Sequence, residues 1–399
     1  MFRVLRAEDP VHWTEEPNGP GFWSITKHAD LGVINRDAEG FSSEAMGVNL
    51  AEYDTGDGVA EAFDMRGQMM LMTDPPKHTR YRLLVNKGFT PRMINLIEDH
   101  LRFRTQLIVD RVIETGRCDF VTDLAAELPL QAIADIMGVP QEERHMLFDW
   151  SNRMIGADDP EYQNEDGNQE DATVAAAELY MYAADLRTKR ADDPRDDIVT
   201  KLINGEINGD RLSDAEFDMF ILLLAVAGNE TTRNATAHGM HALLTNPDEF
   251  TRLRDDPALM PSAIDEILRW ATPVMHFRRQ ATRDLTLRGT DIKDGDKVVM
   301  WHISANRDEE VFDDPFRFDV ARTPNDHIAF GGGGAHFCLG ANLARMELRL
   351  VFEEVCERLG DMQLAGEPER LRSNFIGGIK HLEVSFTPGA RRHAEDTAA

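Results

Sequence analysis

From Ser213 to Asn246 the chain runs without a proline, and the stretch opens with Ser213-Asp214-Ala215-Glu216. The serine oxygen can accept the amide N–H three residues on while Glu216 reaches back to the serine N–H, so this is a capping box and a helix start. With nothing to break it before Pro247, a helix is expected from about Asp214 to Thr245, roughly 48 Å long at ~1.5 Å per residue. Its middle, Phe220 to Ala227, is apolar on every side and should be buried. Such a rod commits the chain to a helix-rich core. Ala227-Gly228-Asn229-Glu230-Thr231-Thr232 then breaks the pattern, because a glycine, an acid and two β-branched alcohols are poor choices inside a buried helix. Two readings follow. The plain one is a helix turn emerging at the surface. In the other, Gly228 lets a flat group approach the backbone, and the Thr231 hydroxyl bonds into the helix ladder, opens it and seats water.

A second stretch points the same way. Four successive glycines, Gly331 to Gly334, lead through His336 to Cys338 and an amphipathic segment with Leu343, Met346 and Leu350 on one face. Glycine tolerates positive φ and close approach, so this run can lie flat against a bulky ligand. A helix starting near Leu339 would aim its N-terminal N–H groups and dipole at the Cys338 sulfur, favouring a thiolate that can ligate a metal. A lone cysteine is more often a small buried hydrophobe, and a glycine run before a helix can cradle phosphate. The phosphate reading lacks the Gly-Lys-Ser/Thr ending it needs. Cys118 and Cys356 lie far off without CxxC spacing, which argues against structural zinc.

Taken in register, Phe330, Gly331, Gly333, His336, Cys338 and Gly340 resemble the haem-binding loop of the cytochrome P450 monooxygenases. The resemblance implies haem b as cofactor, with Cys338 as the axial thiolate that pushes electron density toward O–O cleavage and Phe330 and Gly340 framing it. It also recasts the central helix. Gly228 to Thr232 resembles the family's oxygen-binding groove, in which Thr231 stabilises the bound oxygen species and Glu230 feeds protons from solvent, a general acid role.

Other segments match in the expected order. His78 and Arg82, four apart, share one helix face after Asp74-Pro75-Pro76. A solvated basic stripe would look the same, but HxxxR resembles the family's pair that holds a haem propionate, and Arg279 and His336 resemble further propionate anchors. Glu266 and Arg269 sit at i and i+3 on a helix that Pro273 ends. With Pro315-Phe316-Arg317-Phe318 they resemble the family's Glu-x-x-Arg helix and its distant arginine, a buried and structural charge set.

The remaining pattern is quieter. Phe2 to Arg6 reads as the end of a helix, and since related proteins usually carry a further N-terminal segment, the chain is expected to start late. Gly21 to Thr26 reads as a strand and Lys27 to Asp30 as a helix entry. Met65, Met69, Met70 and Met72 either fill the core or form a flexible loop over an apolar pocket. Helices are expected over Met93 to Glu114 and Leu124 to Met137. Gly156 to Asp171 holds seven acids and no base, which reads as a solvated loop between the family's two lid helices. Leu285, Leu287, Ile292, Val298 and Met300 around Gly289 and Asp294-Gly295 suggest a β-meander. Phe375 to Ile379 reads as a pocket-lining turn before a strand His381 to Phe386.

Bulk properties bound the function. The formal charge of −28 argues against a nucleic-acid partner, which requires a basic face. Met219 to Ala227 is the longest apolar run, far short of the ~20 residues that span a bilayer. Three cysteines without evident pairing suit the cytoplasm.

Together these features predict one mainly α domain with small β-sheets over 1–399, in the P450 fold with a long helix over a buried haem and a flexible tail at 388–399. The implied function is hydroxylation of a small apolar substrate with O2 and two electrons from a ferredoxin and its reductase, docked near Lys77, Arg80 and Arg345. The segments Ala227 to Asn234 and Ser373 to Ile376 resemble the actinobacterial sterol side-chain hydroxylases, which favours a steroid, isoprenoid or branched lipid. Hydroxylation of a terpene or fatty acid, or a haem protein that binds ligand without turnover, are the other readings.

Overall fold

The computed structural model describes residues 1–17, 19–50, 64–86, 89–156, 158–162, 170–195, 197–206 and 209–393. Fourteen α-helices occur among them. The first seven are α1 (Phe2–Glu8), α2 (His28–Arg36), α3 (Lys77–Val85), α4 (Pro91–Leu96), α5 (Glu98–Val112), α6 (Glu127–Met137) and α7 (Arg144–Ile155). The rest are α8 (Glu170–Asp192), α9 (Ile198–Ile203), α10 (Asp214–Thr245), α11 (Pro247–Asp255), α12 (Met260–Ala271), α13 (His302–Ala305) and α14 (Ala341–Arg358). Among the described residues no helix is long and apolar enough to cross a membrane.

The capping box forms as its sequence requires: Glu216 N–H donates to Ser213 Oγ and Ser213 N–H to the Glu216 carboxylate. It starts α10, an unbroken helix of 32 residues. Helices α6, α7, α8, α12 and α14 pack around it, and their inward faces form the main apolar core, from Leu101 and Phe120 through Phe217 and Met240 to Phe352. Two expected helices differ at their ends. The stretch from Met93 divides into α4 and α5 at Ile97, and a π-helical turn, Val121–Ala125, precedes α6.

The strands are short. β1 (Val11–Thr14), β2 (Phe22–Ile25), β3 (Phe41–Ser42), β5 (His276–Ala281) and β8 (Lys297–Trp301) form a five-stranded sheet in the order β1-β2-β8-β5-β3, parallel only between β2 and β8. Over its inner face lies a second apolar cluster, with Ile25, Leu31, Ile34, Val298, Met300 and Ile328. β4 (Arg117–Asp119), β9 (Gln363–Leu364) and β12 (Glu383–Ser385) make a three-stranded sheet, and β10 (Glu369–Arg370) pairs with β11 (Ile379–His381). The expected meander closes only as the hairpin of β6 (Leu285–Leu287) and β7 (Thr290–Ile292). Its turn uses positive φ at Arg288 and Gly289. β8 leaves that hairpin for the larger sheet, where both of its faces are buried.

The charge set behind α12 forms with one change of partner. Glu266 and Arg269, both fully buried, join through two bonds of 2.7 and 2.8 Å. The distant arginine is Arg322, 3.0 Å from Glu266, and not Arg317, which is exposed and reaches toward Glu249. Arg317 contributes its carbonyl instead, to Arg269 and to Arg322. At the C-terminal end, Arg392 and His393 donate their N–H groups to Asp110. The expected flexible tail is thus held to α5 as far as His393, and residues 394–399 lie outside the described residues.

The acidic stretch after α7 is more than a solvated loop. Asp159, 1% exposed, accepts the Arg372 N–H at 2.7 Å and the Lys380 ammonium at 3.0 Å. His381 bridges Asp119 and Glu161 at 2.6 and 2.8 Å. The missing cations come from β11, more than two hundred residues downstream, which no local reading supplies. Residues 157 and 163–169 of that stretch lie outside the described residues.

Candidate functional site

The glycine run precedes α14 and folds against α2. Gly331, Gly332, Gly333 and Gly334 have φ of +99°, +66°, +104° and +77°, a succession that only glycine adopts without strain. Asn35 Nδ2 donates to the Gly331 carbonyl at 2.6 Å, and a Cβ on Gly334 would collide with the Asn35 backbone carbonyl. The close approach that demands glycine at 334 is therefore to a helix of the same chain. The turn then brings Cys338 N–H back to the Phe330 carbonyl at 2.9 Å.

Cys338 opens onto a cavity walled by α3, α10, β5, α13, the glycine loop and α14. Burial pushes its thiol up. The Gly340 N–H and the Arg82 and Arg345 guanidiniums pull the other way. The expected helix-end effect is present as the Gly340 N–H, and desolvation outweighs it. Holding a thiolate here calls for a stronger positive partner at the sulfur, which a metal ion provides.

At one end of the cavity the chain collects donors. The His78 and His336 rings lie tilted by 46° with their centroids 4.2 Å apart. Arg82 donates to the carbonyls of Ala335 and Phe337, and Arg279 to its neighbour's carbonyl, Arg278, at 2.8 Å. Burial first, and then the mutual proximity of these cations, pushes His78 down to about 4 and His336 to about 2. Burial brings Arg279 down to about 10. A set of guanidiniums and neutral imidazoles, with His78 and Arg279 buried and Arg82 and His336 partly so, is suited to carboxylates. His302, which the sequence reading missed, belongs to this end. Its one sequence signal is a histidine immediately after the β-run Lys297–Trp301.

The opposite wall is α10. Leu223, Ala227 and Thr231, at i, i+4 and i+8, keep accessible surface and line the cavity, so the apolar stretch is not buried on every side. The Thr231 hydroxyl donates to the Ala227 carbonyl at 2.8 Å while the helix continues unbroken. Gly228 lines the cavity with its backbone, but the space of its missing Cβ is filled by Ile133 of α6. The glycine therefore serves the packing of α6 on α10.

Glu230 stands apart. It is fully buried and paired with Arg233, whose other amino group donates to Asn152 of α7 at 2.8 Å, and it does not line the cavity. Burial pushes its carboxyl up while Arg233 pulls it down. One acid does line the cavity: Glu347 of α14, fully buried and pushed by that burial up to about 8, with Thr232 pulling it the other way.

The rest of the lining is apolar, including Phe220, Leu224, Val274 and Phe277. The methionines divide: Met70 and Leu71 face the cavity, whereas Met69 and Met72 are packed in the protein. Residues 51–63, between Glu44 and this cluster, lie outside the described residues. The 375–379 turn sits one layer back, with Phe375 against Phe277 and His276. Of the predicted site residues, the cavity therefore unites His78, Arg82, Gly228, Thr231, Arg279, Phe330, His336, Cys338 and Gly340, and excludes Glu230.

Comparison with known proteins gives a consistent picture. The family model described as Cytochrome P450 matches residues 117–360. A steroid C26-monooxygenase of Mycolicibacterium smegmatis is 45% identical over 389 residues, covering 96% of this chain and 89% of that protein. A methyl-branched lipid omega-hydroxylase of Mycobacterium tuberculosis is 41% identical over 396 residues, covering 97% and 90%. Among solved structures, a Mycobacterium marinum cytochrome P450 in complex with pseudoionone superposes with a TM-score of 0.89 at 40% identity, covering 96% of this chain and 94% of that one.

Proposed function

This chain belongs to the cytochrome P450 family of monooxygenases, and we propose that it seats haem b on Cys338 and hydroxylates a steroid, isoprenoid or branched lipid. The observation that carries the reading is a single cavity. It joins a cysteine sulfur, a cluster of donors suited to carboxylates and the Thr231 hydroxyl within largely apolar walls. When bound, thiolate-ligated haem supplies cleavage of O2 and insertion of one oxygen atom into substrate, the other leaving as water with two electrons and two protons.

The residues have separable tasks. Cys338 would hold the iron, and His78, Arg82, Arg279 and His336 would orient the macrocycle through its carboxylates. Phe330 lines the cavity beside them, where the Arg345 guanidinium covers its ring at 4.6 Å, and Gly340 caps α14. Phe220, Leu224, Val274 and Phe277 exclude water and bind apolar substrate by area. Thr231 spends its proton on the Ala227 carbonyl, which leaves its oxygen free to accept from a water in the cavity. Glu230 delivers protons only after its side chain leaves Arg233, so its part in the reaction is gated.

The substrate class rests on the names of the two curated relatives and on the apolar lining. For electrons we propose a ferredoxin and its reductase. Arg80 is already paired with Asp210 and Glu216, and Lys77 with the Gly67 carbonyl. Arg345 is likewise paired, with Asp265 at 3.0 Å, so docking centres on exposed Phe337, next to Cys338 in the chain. The three free cysteines fit a cytoplasmic setting. The described residues are read as one domain, with the N-terminal helix held by Arg6 on Glu309 and the C-terminal end by His393 on Asp110.

The reduced carbon monoxide complex tests the core of this reading. A thiolate-type spectrum that disappears in Cys338→Ala is expected, and a spectrum indifferent to that change refutes the axial role. Spin-state titration with sterols, terpenes, branched and straight-chain fatty acids then ranks the substrate class.

A further inference from the structure

β8 ends at Trp301 and α13 begins at His302. The turn between them is fixed from several sides. Trp301 Nε1 donates to Ser24 Oγ at 3.2 Å, and Ser304 Oγ to the Thr26 carbonyl at 2.9 Å. Asn306 joins Thr272 Oγ1 at 2.9 Å and the Ile328 N–H at 2.8 Å. The His302 ring itself stands edge-on against Phe277 at 5.7 Å. An imidazole so held cannot swing out to water.

His302 is 2% exposed and lines the cavity, yet neither Nδ1 nor Nε2 has a hydrogen-bond partner. One nitrogen lies near the Met300 carbonyl without acceptable hydrogen-bond geometry. A buried donor left unmet is costly, so the one N–H that a neutral ring carries points to an acceptor that completes it. The neighbours say what kind of group. Arg279, His336 and His78 line the same cavity as His302, and the Arg279 charge is near enough to lower all three histidines, so that part of the cavity presents donors. Burial, followed by Arg279 and His276, brings His302 down to about 3, so it takes part as a neutral N–H donor. Its complement is an anion with several acceptor oxygens.

We propose that His302 is a further haem anchor, donating a ring N–H to a carboxylate of the cofactor that Arg279 also pairs with. The proposal rests on the haem reading above and adds a residue from α13 to the donors of α3, β5 and the glycine loop. Because His302 is positioned by Ser24, Thr26 and Ile328, it links the five-stranded sheet and the residues before the glycine run to the seating of the haem.

The test is haem transfer from purified holoenzyme to excess apomyoglobin, for the unmodified chain, His302→Phe and His302→Gln. His302→Phe keeps the ring packing on Phe277 without a donor and should lose haem roughly tenfold faster, the cost of one hydrogen bond to a charged acceptor. His302→Gln restores an N–H and should return the rate close to that of the unmodified chain. Equal rates for all three overturn the proposal. An unaltered rate together with weakened spin-state titration by a sterol also overturns it, since His302 then serves the substrate. Should His302→Phe lose its helical circular dichroism, His302→Met against His302→Gln gives the same comparison at similar length, and equal rates in that pair are fatal. An unmodified chain that lacks the thiolate carbon monoxide spectrum fails the haem reading itself, and this proposal with it.

Discussion

Glu230 and Thr231 are adjacent on α10 and serve different environments: Thr231 lines the cavity, whereas Glu230 closes a fully buried ion pair with Arg233 that reaches on to Asn152 of α7. The acid assigned to proton delivery is thus stored on the side of the helix that packs against a neighbouring helix.

Removing either partner should therefore be damaging, at about 3–5 kcal/mol. Arg233→Leu leaves a buried carboxyl that can take a proton, whereas Glu230→Gln leaves a guanidinium that stays charged, so the loss in Arg233→Leu should shrink at low pH and the loss in Glu230→Gln should not. Urea unfolding of both variants at pH 5 and pH 8 checks this. Losses near zero would mean that the pair is not isolated from solvent.

Thr231→Ala should leave substrate binding intact and lower product formed per electron consumed. Oxygen uptake measured beside product yield decides this. Unchanged coupling removes Thr231 from proton handling and leaves Glu347, the acid that lines the cavity, to be tested by Glu347→Gln.

Gly228→Ala should destabilise the protein by roughly 1–3 kcal/mol, because the added methyl meets the end of Ile133. Since that atom ends a flexible side chain, Ile133→Val in the same chain should recover part of the loss. A double mutant no better than the single one would place the strain in the α10 backbone.

Arg322→Ala and Arg317→Ala separate the expected charge set from the observed one. Loss of Arg322 leaves Glu266 short of a partner at a buried site and should cost several kcal/mol, whereas exposed Arg317 should stay within ~0.5 kcal/mol of the unmodified chain. Thermal denaturation of the two suffices.

The His381 bridge should weaken as pH rises. Burial works against its protonation, but the Asp119 and Glu161 carboxylates prevail and raise its pKa in the folded chain. A group raised on folding stabilises fully below its unfolded value near 6.5 and loses that contribution as pH climbs through the folded value. Being half-exposed, the bridge is worth little, under ~1 kcal/mol. The stability gap between the unmodified chain and His381→Gln should narrow between pH 6 and pH 9, and a gap that stays constant would show that His381 does not titrate there.

Where chemistry depends on residues close in sequence, the order of amino acids was sufficient. Ser213 and Glu216 cap α10 because three residues of helix bring them together, and Thr231 finds the Ala227 carbonyl one turn back. The run Phe330 to Gly340 carries its turn in its glycines, and His78 and Arg82 share a face by helical spacing. That legibility extends to the cofactor class, since the loop, the groove and the HxxxR pair are each local motifs.

The tertiary structure decided the partners that lie far along the chain. Arg322 rather than Arg317 reaches Glu266, Ile133 fills the space at Gly228, Asn35 demands glycine at 334, and Lys380 and His381 neutralise Asp159 and Glu161. His302 and Glu347 were invisible for the same reason, each looking like an ordinary residue of its own strand end or helix. Local spacing fixes which way a side chain points from its own element; only the packing of one element on another fixes what it meets, how much water it loses and, through that desolvation, which charge it keeps.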